Sequence, residues 1–488
     1  MSDARTESPA PERASLVLPV WVVGVPAVLL LGFLALLGRA GVGIQVLGLP
    51  LGAYLTPLPS LLVVGLIATS RGRTLLRSFD RSQRRVAIAV AVAVAAGLLR
   101  AAAQGMPTLL GFQDMAYLLH LPWIVVGMAA MKALPTDEER TRVLRWLAWT
   151  FIVILSLHWA RGVLPPAEWL FQQFVSALDG LSDKPSNLMK DGDRALYGVT
   201  LAALAVRLFG YRGRSGIGIV SIAGLLVGTH LADFALGGSR GALLGALLGL
   251  ALLSIAESSR AARGILLIAA ALSFTLSSAV ALTAASDPSA VPQPREPRIE
   301  TPPSATPSEE SLTIRERYEI AAGRRSAAAT IEQLRITEGE FIRPSELSWR
   351  IAIWEDVIHA WNASWGNRLF GIGFGIDIQA MTAPHRQGYD GLNRSVHNIV
   401  FTVLARQGVT GIAALSALLL VLTFPGPLRQ TSVTPVLVAA LTIGFFDTFL
   451  EGSQAPTTLW VLIGLANAGR MPQPLTIITE QHPDRIDE

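Results

Sequence analysis

Long apolar runs recur between residues 16 and 284 and again between 409 and 470, and they decide what this chain can become. A bilayer core about 30 Å thick takes roughly 20 helical residues to cross. Several runs reach that length, and a segment at that depth must satisfy its own backbone polar groups. The expected class is therefore all-α and polytopic. A cytosolic enzyme, a nucleic-acid binder and a secreted disulfide scaffold are excluded. Composition agrees: 16% of the 488 residues are charged and 51% hydrophobic, where a soluble domain is about 25% charged. Cysteine is absent, so redox compartment cannot be read from it.

About twelve spans are expected, at 16–37, 44–69, 86–104, 113–132, 143–161, 195–209, 216–234, 241–256, 265–284, 409–424, 434–450 and 458–470. The second contains Pro50, Pro57 and Pro59, which membrane helices tolerate when neighbours satisfy the freed backbone groups. The first run is longer than a signal-peptide core and lacks a clear cleavage site, so it reads as a retained span.

Arg and Lys in short loops set orientation. With a cytoplasmic N-terminus, inside loops hold Arg71, Arg73, Arg77, Arg81, Arg84 and Arg85, then Lys132, Arg140, Arg142 and Arg145, with further arginines down to Arg470. Outside loops hold fewer, among them Arg39, Arg100, Arg161, Arg194 and Arg240. This bias predicts a cytoplasmic-membrane protein with cytoplasmic tails at 1–15 and 471–488, spans one to nine in 16–284 and spans ten to twelve in 409–470. The intervening 285–408 is expected outside. There, 12 Arg and 15 Asp/Glu lie between Asp287 and Arg394, the density of a water-exposed segment. Its first part, 286–308, carries seven prolines and cannot build a core. The rest, 309–408, is expected to be helical. Basic residues are almost all Arg, with Lys at 132, 184 and 190 only, a pattern that fits coding bias in an Ala-rich chain.

Three features could carry chemistry. In the helix expected at 345–366, a 100° wheel puts Trp354, Val357, Trp361 and Trp365 within about 60° of Arg350. An Arg stacked on Trp at a bilayer surface would explain this as well as an Arg held for an anion. In the stretch 395–407, Ser395 is a plausible N-cap that would put His397 and Asn398 in the first helical turn. An imidazole beside a helix N-terminus tends to stay neutral and able to accept a proton. His397, Phe401 and Leu404 would share one stripe. In LGGSRGALLGALLGL, Ser239 is the expected cap of span eight and Arg240 its first residue. A cation there is electrostatically misplaced and needs compensation, such as a bound diphosphate or the interface itself. Gly241, Gly245 and Gly249 form a small-residue ridge for close helix packing.

Weaker candidates complete the set. LFGIGFG (Gly371, Gly373, Gly375) lacks the surroundings of a dinucleotide loop and is expected to bend the chain. Asp191 and Asp193 resemble an acidic metal pair on a turn, Glu355–Asp356 reads as a solvated helix face, and Asp447 and Glu451 could orient an acceptor or bind a cation. His120, His158 and His230 lack metal-ligand spacing, so no metal site is expected.

Taken together, GGSRG at 237–241, RIAIW at 350–354 with LFGIGFG at 369–375, SVHNIVFTVLARQGVTGI at 395–412 and FLEGSQAPTTLWVLIGLA at 449–466 resemble the O-antigen ligase and O-antigen polymerase superfamily. The motifs cover roughly the C-terminal half; residues 1–200 match only in hydropathy, and the proline tract departs from a compact family loop. The resemblance implies a C-type-like, integral-membrane glycosyltransferase with no cofactor, metal-independent and inverting. It would take a glycan from a polyprenyl (undecaprenyl) diphosphate carrier to a lipid, glycan or protein acceptor hydroxyl on the outer side of the membrane. It also implies that Arg240 and Arg350 hold the diphosphate and that His397 is the candidate base, with Asn398, Ser239 and Trp354 on the substrate-binding side. A polymerase of the same superfamily and a solute transporter are the alternatives; nucleic acid is not an expected partner.

Overall fold

The computed structural model describes residues 17–47, 49–104, 109–178, 181, 189–209, 213–237, 239–257, 263–265, 267–269, 271–272, 275, 346–375, 396–423, 433–446, 450 and 454–468. The proline tract, the stretch 309–345, Ser395, Asp447 and Glu451 lie outside these described residues. The described chain is helical except for a two-residue antiparallel hairpin, β1 (Gln45–Val46) against β2 (Leu49–Pro50).

The N-terminal part comprises α1 (Val20–Gly43), α2 (Leu51–Leu55), α3 (Leu58–Ala68), α4 (Ser70–Arg77), α5 (Arg81–Ala103), α6 (Leu109–Asp114), α7 (Ala116–Leu119) and α8 (Trp123–Lys132). It continues through α9 (Asp137–Val163), α10 (Pro165–Leu178), α11 (Asp191–Leu208), α12 (Gly213–Gly237) and α13 (Arg240–Glu257). After the undescribed stretch come α14 (Glu346–Asn362), α15 (Trp365–Phe370), α16 (Ile399–Thr423), α17 (Val433–Phe446) and α18 (Gln454–Ala468). Local chemistry sets the starts of the long helices. Asp80 and Gln83 form a reciprocal capping box at α5. Thr136 caps α9, whose first turn holds Asp137, Glu138 and Glu139 against the helix dipole.

Six described segments are long and apolar enough to cross a bilayer: Val20–Leu37, Leu51–Ala68, Arg81–Ala103, Asp137–Arg161, Gly216–Phe234 and Ile399–Thr423. Their exposed side is apolar at helical spacing, as with Trp149, Val153 and Leu157 on α9 or Ile88 and Val92 on α5. Such stripes would be costly in water and are the natural surface toward acyl chains. Ala116–Lys132, Gly241–Ile255 and Val433–Phe446 are apolar but shorter. The expected count of twelve is thus met by six segments on length and hydropathy. Several of the others are wrapped by protein: every residue of α11 from Ala195 to Val206 is buried, as is all of α18.

Four local expectations change. The run 44–69 is not one helix; the β1–β2 hairpin and a break at Thr56–Pro57 divide it, because proline offers no N–H to continue the ladder. The Trp-rich helix ends at Asn362, and Ser364 caps a separate α15 by accepting the Asn367 N–H at 3.0 Å, so Trp365 leaves the Arg350 stripe. Helix 395–407 and span 409–424 are continuous in α16, with a kink at Gly408 (φ 63°, ψ −153°). Lastly, α16 starts at Ile399, two residues after His397.

Candidate functional site

Four helix ends meet at Phe446, the last residue of α17. The first is α13, which lies against α17 along its glycine ridge. A methyl group added to Gly245 would sit 2.6 Å from Ile443 Cγ1, and one on Gly249 would sit 3.0 Å from the Pro435 carbonyl oxygen. The same ridge brings Gly241 to Phe446, where an added methyl would come within 2.7 Å of Phe446 Cβ. Arg240, the residue before, is therefore fixed at this point by its backbone. Ser239 occupies the N-cap position, its carbonyl accepting the Leu243 N–H at 3.0 Å, as expected for this residue.

The second arrival is Arg350, on the first turns of α14. Its guanidinium Nη1 donates to the main-chain carbonyl of Phe446. The C-terminal carbonyls of a helix lack intrahelical partners and carry partial negative charge, so a guanidinium is well placed there. The third is α16, whose first residue, Ile399, reaches Gly444 of α17; an added methyl there would be 3.6 Å from Ile399 Cγ2.

His397 sits just ahead of α16 and adopts a left-handed backbone (φ 54°). For a non-glycine residue that conformation costs on the order of 1–3 kcal/mol and persists only where its neighbours impose it. Both neighbours do. On one side, the Trp354 indole N–H donates to the Val396 carbonyl at 3.0 Å, and the ring stacks on Phe401 with centroids 5.1 Å apart and planes 9° from parallel. On the other, the Asn398 side-chain oxygen accepts the Val400 and Phe401 N–H groups at 2.9 and 3.3 Å. Asn398, not Ser395, is the cap. His397 consequently lies outside the helix, so the expected His397–Phe401–Leu404 stripe does not exist. Asn398 is fully buried, which makes it an organiser of the turn. Trp354 is one helical turn from Arg350, so a single helix positions both the arginine and the histidine turn.

A second network, which the sequence did not signal, holds the stretch between α15 and α16. Gly371, Gly373 and Gly375 all have positive φ, and the chain bends through them as expected. At Gly371 and Gly408 the two backbones approach so closely that an added methyl on either would fall within 2.5 Å of the other strand's main-chain atoms. Arg100 donates to the Gly371 carbonyl at 2.7 Å, and Gln104 donates to Ile372 O at 2.8 Å while accepting from Phe374 N at 3.0 Å. Arg406, 2% exposed inside α16, donates to Gly373 O at 3.0 Å and pairs with Asp114 at 3.2 Å. Asp114 also accepts the Gly375 N–H at 2.7 Å. In the sequence Arg406 is only a charge inside an apolar helix, and Arg100 reads as a residue of an outside loop.

The weaker candidates resolve individually. Asp191 pairs with Arg194, and the Asp193 carboxylate accepts the Lys190 N–H at 3.1 Å, so that pair is divided between an ion pair and a helix start. Glu355 is exposed, but Asp356 is 4% exposed because α14 buries Ile353 and Val357 beside it; the expected solvated pair is half wrong. Among the described residues no group of three His, Asp or Glu is disposed to hold a metal ion.

Lipid-facing apolar stripes around a bundle define an integral membrane protein, in which the Arg350 guanidinium, the start of α13 and the strained turn before α16 come together near the end of α17. Residues 225–416 match the family model described as O-antigen ligase, and this stretch forms an O-antigen ligase family domain. It runs from α12 into α16 and contains Ser239, Arg240, Arg350, Trp354, His397 and Asn398. No curated protein matches the chain. The match places residues 225–416 with a family of membrane enzymes of the O-antigen ligase/polymerase type, which work in surface-polysaccharide biosynthesis.

Proposed function

We propose that the chain is a ligase-type glycosyltransferase that moves a glycan from a polyprenyl diphosphate carrier to an acceptor hydroxyl on the outer side of the cytoplasmic membrane. The observation that carries this reading is the meeting at Phe446 of Arg350, through its guanidinium, with the Arg240 end of α13 and the His397 end of α16. Guanidinium groups suit a diphosphate leaving group, since they form paired charge-assisted hydrogen bonds as negative charge develops, and Arg350 and the Arg240 position at the start of α13 would supply two of them. They would do this without a metal ion.

In the reaction, the acceptor oxygen forms a bond to the anomeric carbon as the bond from that carbon to the diphosphate oxygen breaks. The electron pair leaves on the polyprenyl diphosphate, held by Arg240 and Arg350, and the acceptor proton passes to His397. Attack opposite the leaving group inverts the anomeric centre. Asn398 and Trp354 keep the His397 turn in place, and Ser239 offers a hydroxyl at the diphosphate end. Both chain termini would then be cytoplasmic, with the His397 and Arg240 ends outside.

The test is complementation of a deletion strain with Arg350→Ala and His397→Ala at matched expression. Both are expected to leave glycan unattached on the carrier. Single-repeat products on the acceptor would instead identify the polymerase reaction, and a wild-type glycan profile with either variant would end the proposal.

A further inference from the structure

A second polar cluster lies at the ends of α9, α11 and α12, one turn away in sequence from Ser239. Arg194 of α11 bridges Asp191 and Asp233 and lies over the Phe234 ring, 5.2 Å from its centroid. His230 is 3% exposed and shares a hydrogen bond of 3.3 Å with the Leu155 carbonyl. His158, 9% exposed, lies within electrostatic reach of Arg194, His230 and Arg161. Its Nε2 is buried and has no hydrogen-bond partner among the described residues. The rim is open: the carboxylate side chains of Asp191 and Asp233 are 37% and 55% exposed.

Ionisable groups buried in membrane helices are costly and seldom kept without use. The chemistry here narrows the ligand. A diphosphate would face two carboxylates. A divalent cation would meet the Arg194 guanidinium between those same carboxylates. The charged groups, Arg161 and Arg194 against Asp191, Asp233 and Glu168, leave one carboxylate in excess, which suits an uncharged, hydroxyl-rich ligand over an anion. Carboxylates accept from hydroxyls, imidazoles both donate and accept, and the rings of Phe171 and Phe234 flank the group. The cluster also connects directly to the diphosphate end, because the Ser239 N–H donates to the Phe234 carbonyl at 3.0 Å and Arg240 follows.

We propose that this cluster, floored by His158 and His230 and rimmed by Asp191 and Asp233, binds a sugar ring of the carrier-linked glycan. The assignment rests on the donor reading given above. It makes the α12–α13 turn the joint between a sugar subsite and the diphosphate-holding arginines.

The experiment uses the full chain in nanodiscs with two probes, bare undecaprenyl diphosphate and the polyprenyl-diphosphate-linked glycan extracted from the source strain. Asp233→Asn and His158→Phe, the latter keeping an aromatic ring against Phe171, should weaken the glycan-linked probe about tenfold, the loss of one or two hydrogen bonds. Binding of the bare diphosphate should not change. Wild-type affinity of both variants for both probes would overturn the sugar subsite, and so would equal weakening for the two probes. A wild-type protein that binds neither probe would overturn the donor reading, and this assignment with it.

Discussion

Arg350 donates its guanidinium hydrogen bond to the main-chain carbonyl of Phe446, the residue whose side chain abuts Gly241. One α17 terminus thus fixes an arginine from α14 beside the helix start that carries Arg240. Lysine at 350 would keep the charge but lose the planar fork that can serve a carbonyl and a phosphate together. Arg350→Lys is therefore expected to lower turnover roughly 100-fold, as for loss of one preorganised donor. Its melting temperature in detergent should stay near wild type. In vitro transfer from carrier-linked glycan, run beside a thermal melt, measures both.

The α13–α17 contact is built on absent side chains. At Gly245 even a methyl group would meet Ile443 Cγ1 at 2.6 Å and the Ala439 carbonyl at 2.9 Å. Gly245→Ala should destabilise the protein by about 1–3 kcal/mol through overpacking, and Gly245→Leu by more. At Gly65 nothing lies within 4 Å, so Gly65→Ala is the matched control and should melt as wild type does. Equal melting of the Gly245 and Gly65 variants would show that the ridge does not set the packing distance.

Arg406 and Asp114 form a nearly dry ion pair whose members also hold Gly373 and Gly375. Removing one partner strands the other charge, at a cost of about 3–5 kcal/mol, whereas replacing both with apolar residues of similar size costs far less. Arg406→Met alone should therefore express poorly. The double variant Arg406→Met, Asp114→Leu should recover much of the yield, read by size-exclusion chromatography of the solubilised protein. A double variant no better than the single would contradict this coupling.

Hydropathy exposes the lipid-facing helices because their periodic surface is the sequence pattern, as in α5 and α9. It says much less about α11 and α18, which other helices enclose, and it marks no span at the amphipathic α10. The Phe446 site was half legible. Arg240, Arg350 and His397 stood out because each sits badly in a local pattern: a cation at a helix start, an arginine in a tryptophan stripe, a histidine at a turn. The partners that fix them did not. Phe446 acts through its carbonyl, and Asn398 caps α16 from a turn whose other side the Trp354–Val396 bond holds. Such main-chain contacts between distant segments leave no mark on composition or spacing. The Arg194 cluster was hidden for a related reason, since His158 and His230 come from helices that only tertiary packing brings together.

One acidic group near that cluster has a pH signature. Hydrogen bonding from Arg161 holds the Glu168 carboxyl below its ordinary value of 4.5, with a smaller contribution from Gln172. A depressed carboxylate adds stability that is complete above its ordinary value and lost as pH falls through the lower folded value. The tether from α10 to the end of α9 should therefore hold at neutral pH and loosen only below about pH 4.5. Being exposed, the pair contributes little to global stability, so the readout is local: amide exchange across residues 165–178. Glu168→Gln should remove the acid-dependent change. Identical acid profiles for variant and wild type would show that another group governs the tether.

His397 offers a test that separates stability from activity. Its φ of 54° is imposed by the Trp354 bond to Val396 on one side and the Asn398 cap on the other. Glycine occupies that region without steric cost, so His397→Gly should leave thermal stability unchanged or raise it, with the relief of strain offset by unfolded-state entropy. The same substitution removes the proposed base, and transfer should fall by about 100-fold or more, the usual scale of general base catalysis. His397→Ala loses the base and keeps the strain, so it should be equally inactive but less stable than the glycine variant. The pairing of lost transfer with unchanged or improved melting marks a residue kept in a costly conformation for its chemistry. Were His397→Gly to melt well below wild type, the histidine would be a structural plug in the turn. Were it instead to retain transfer, the proton would have to leave by another group.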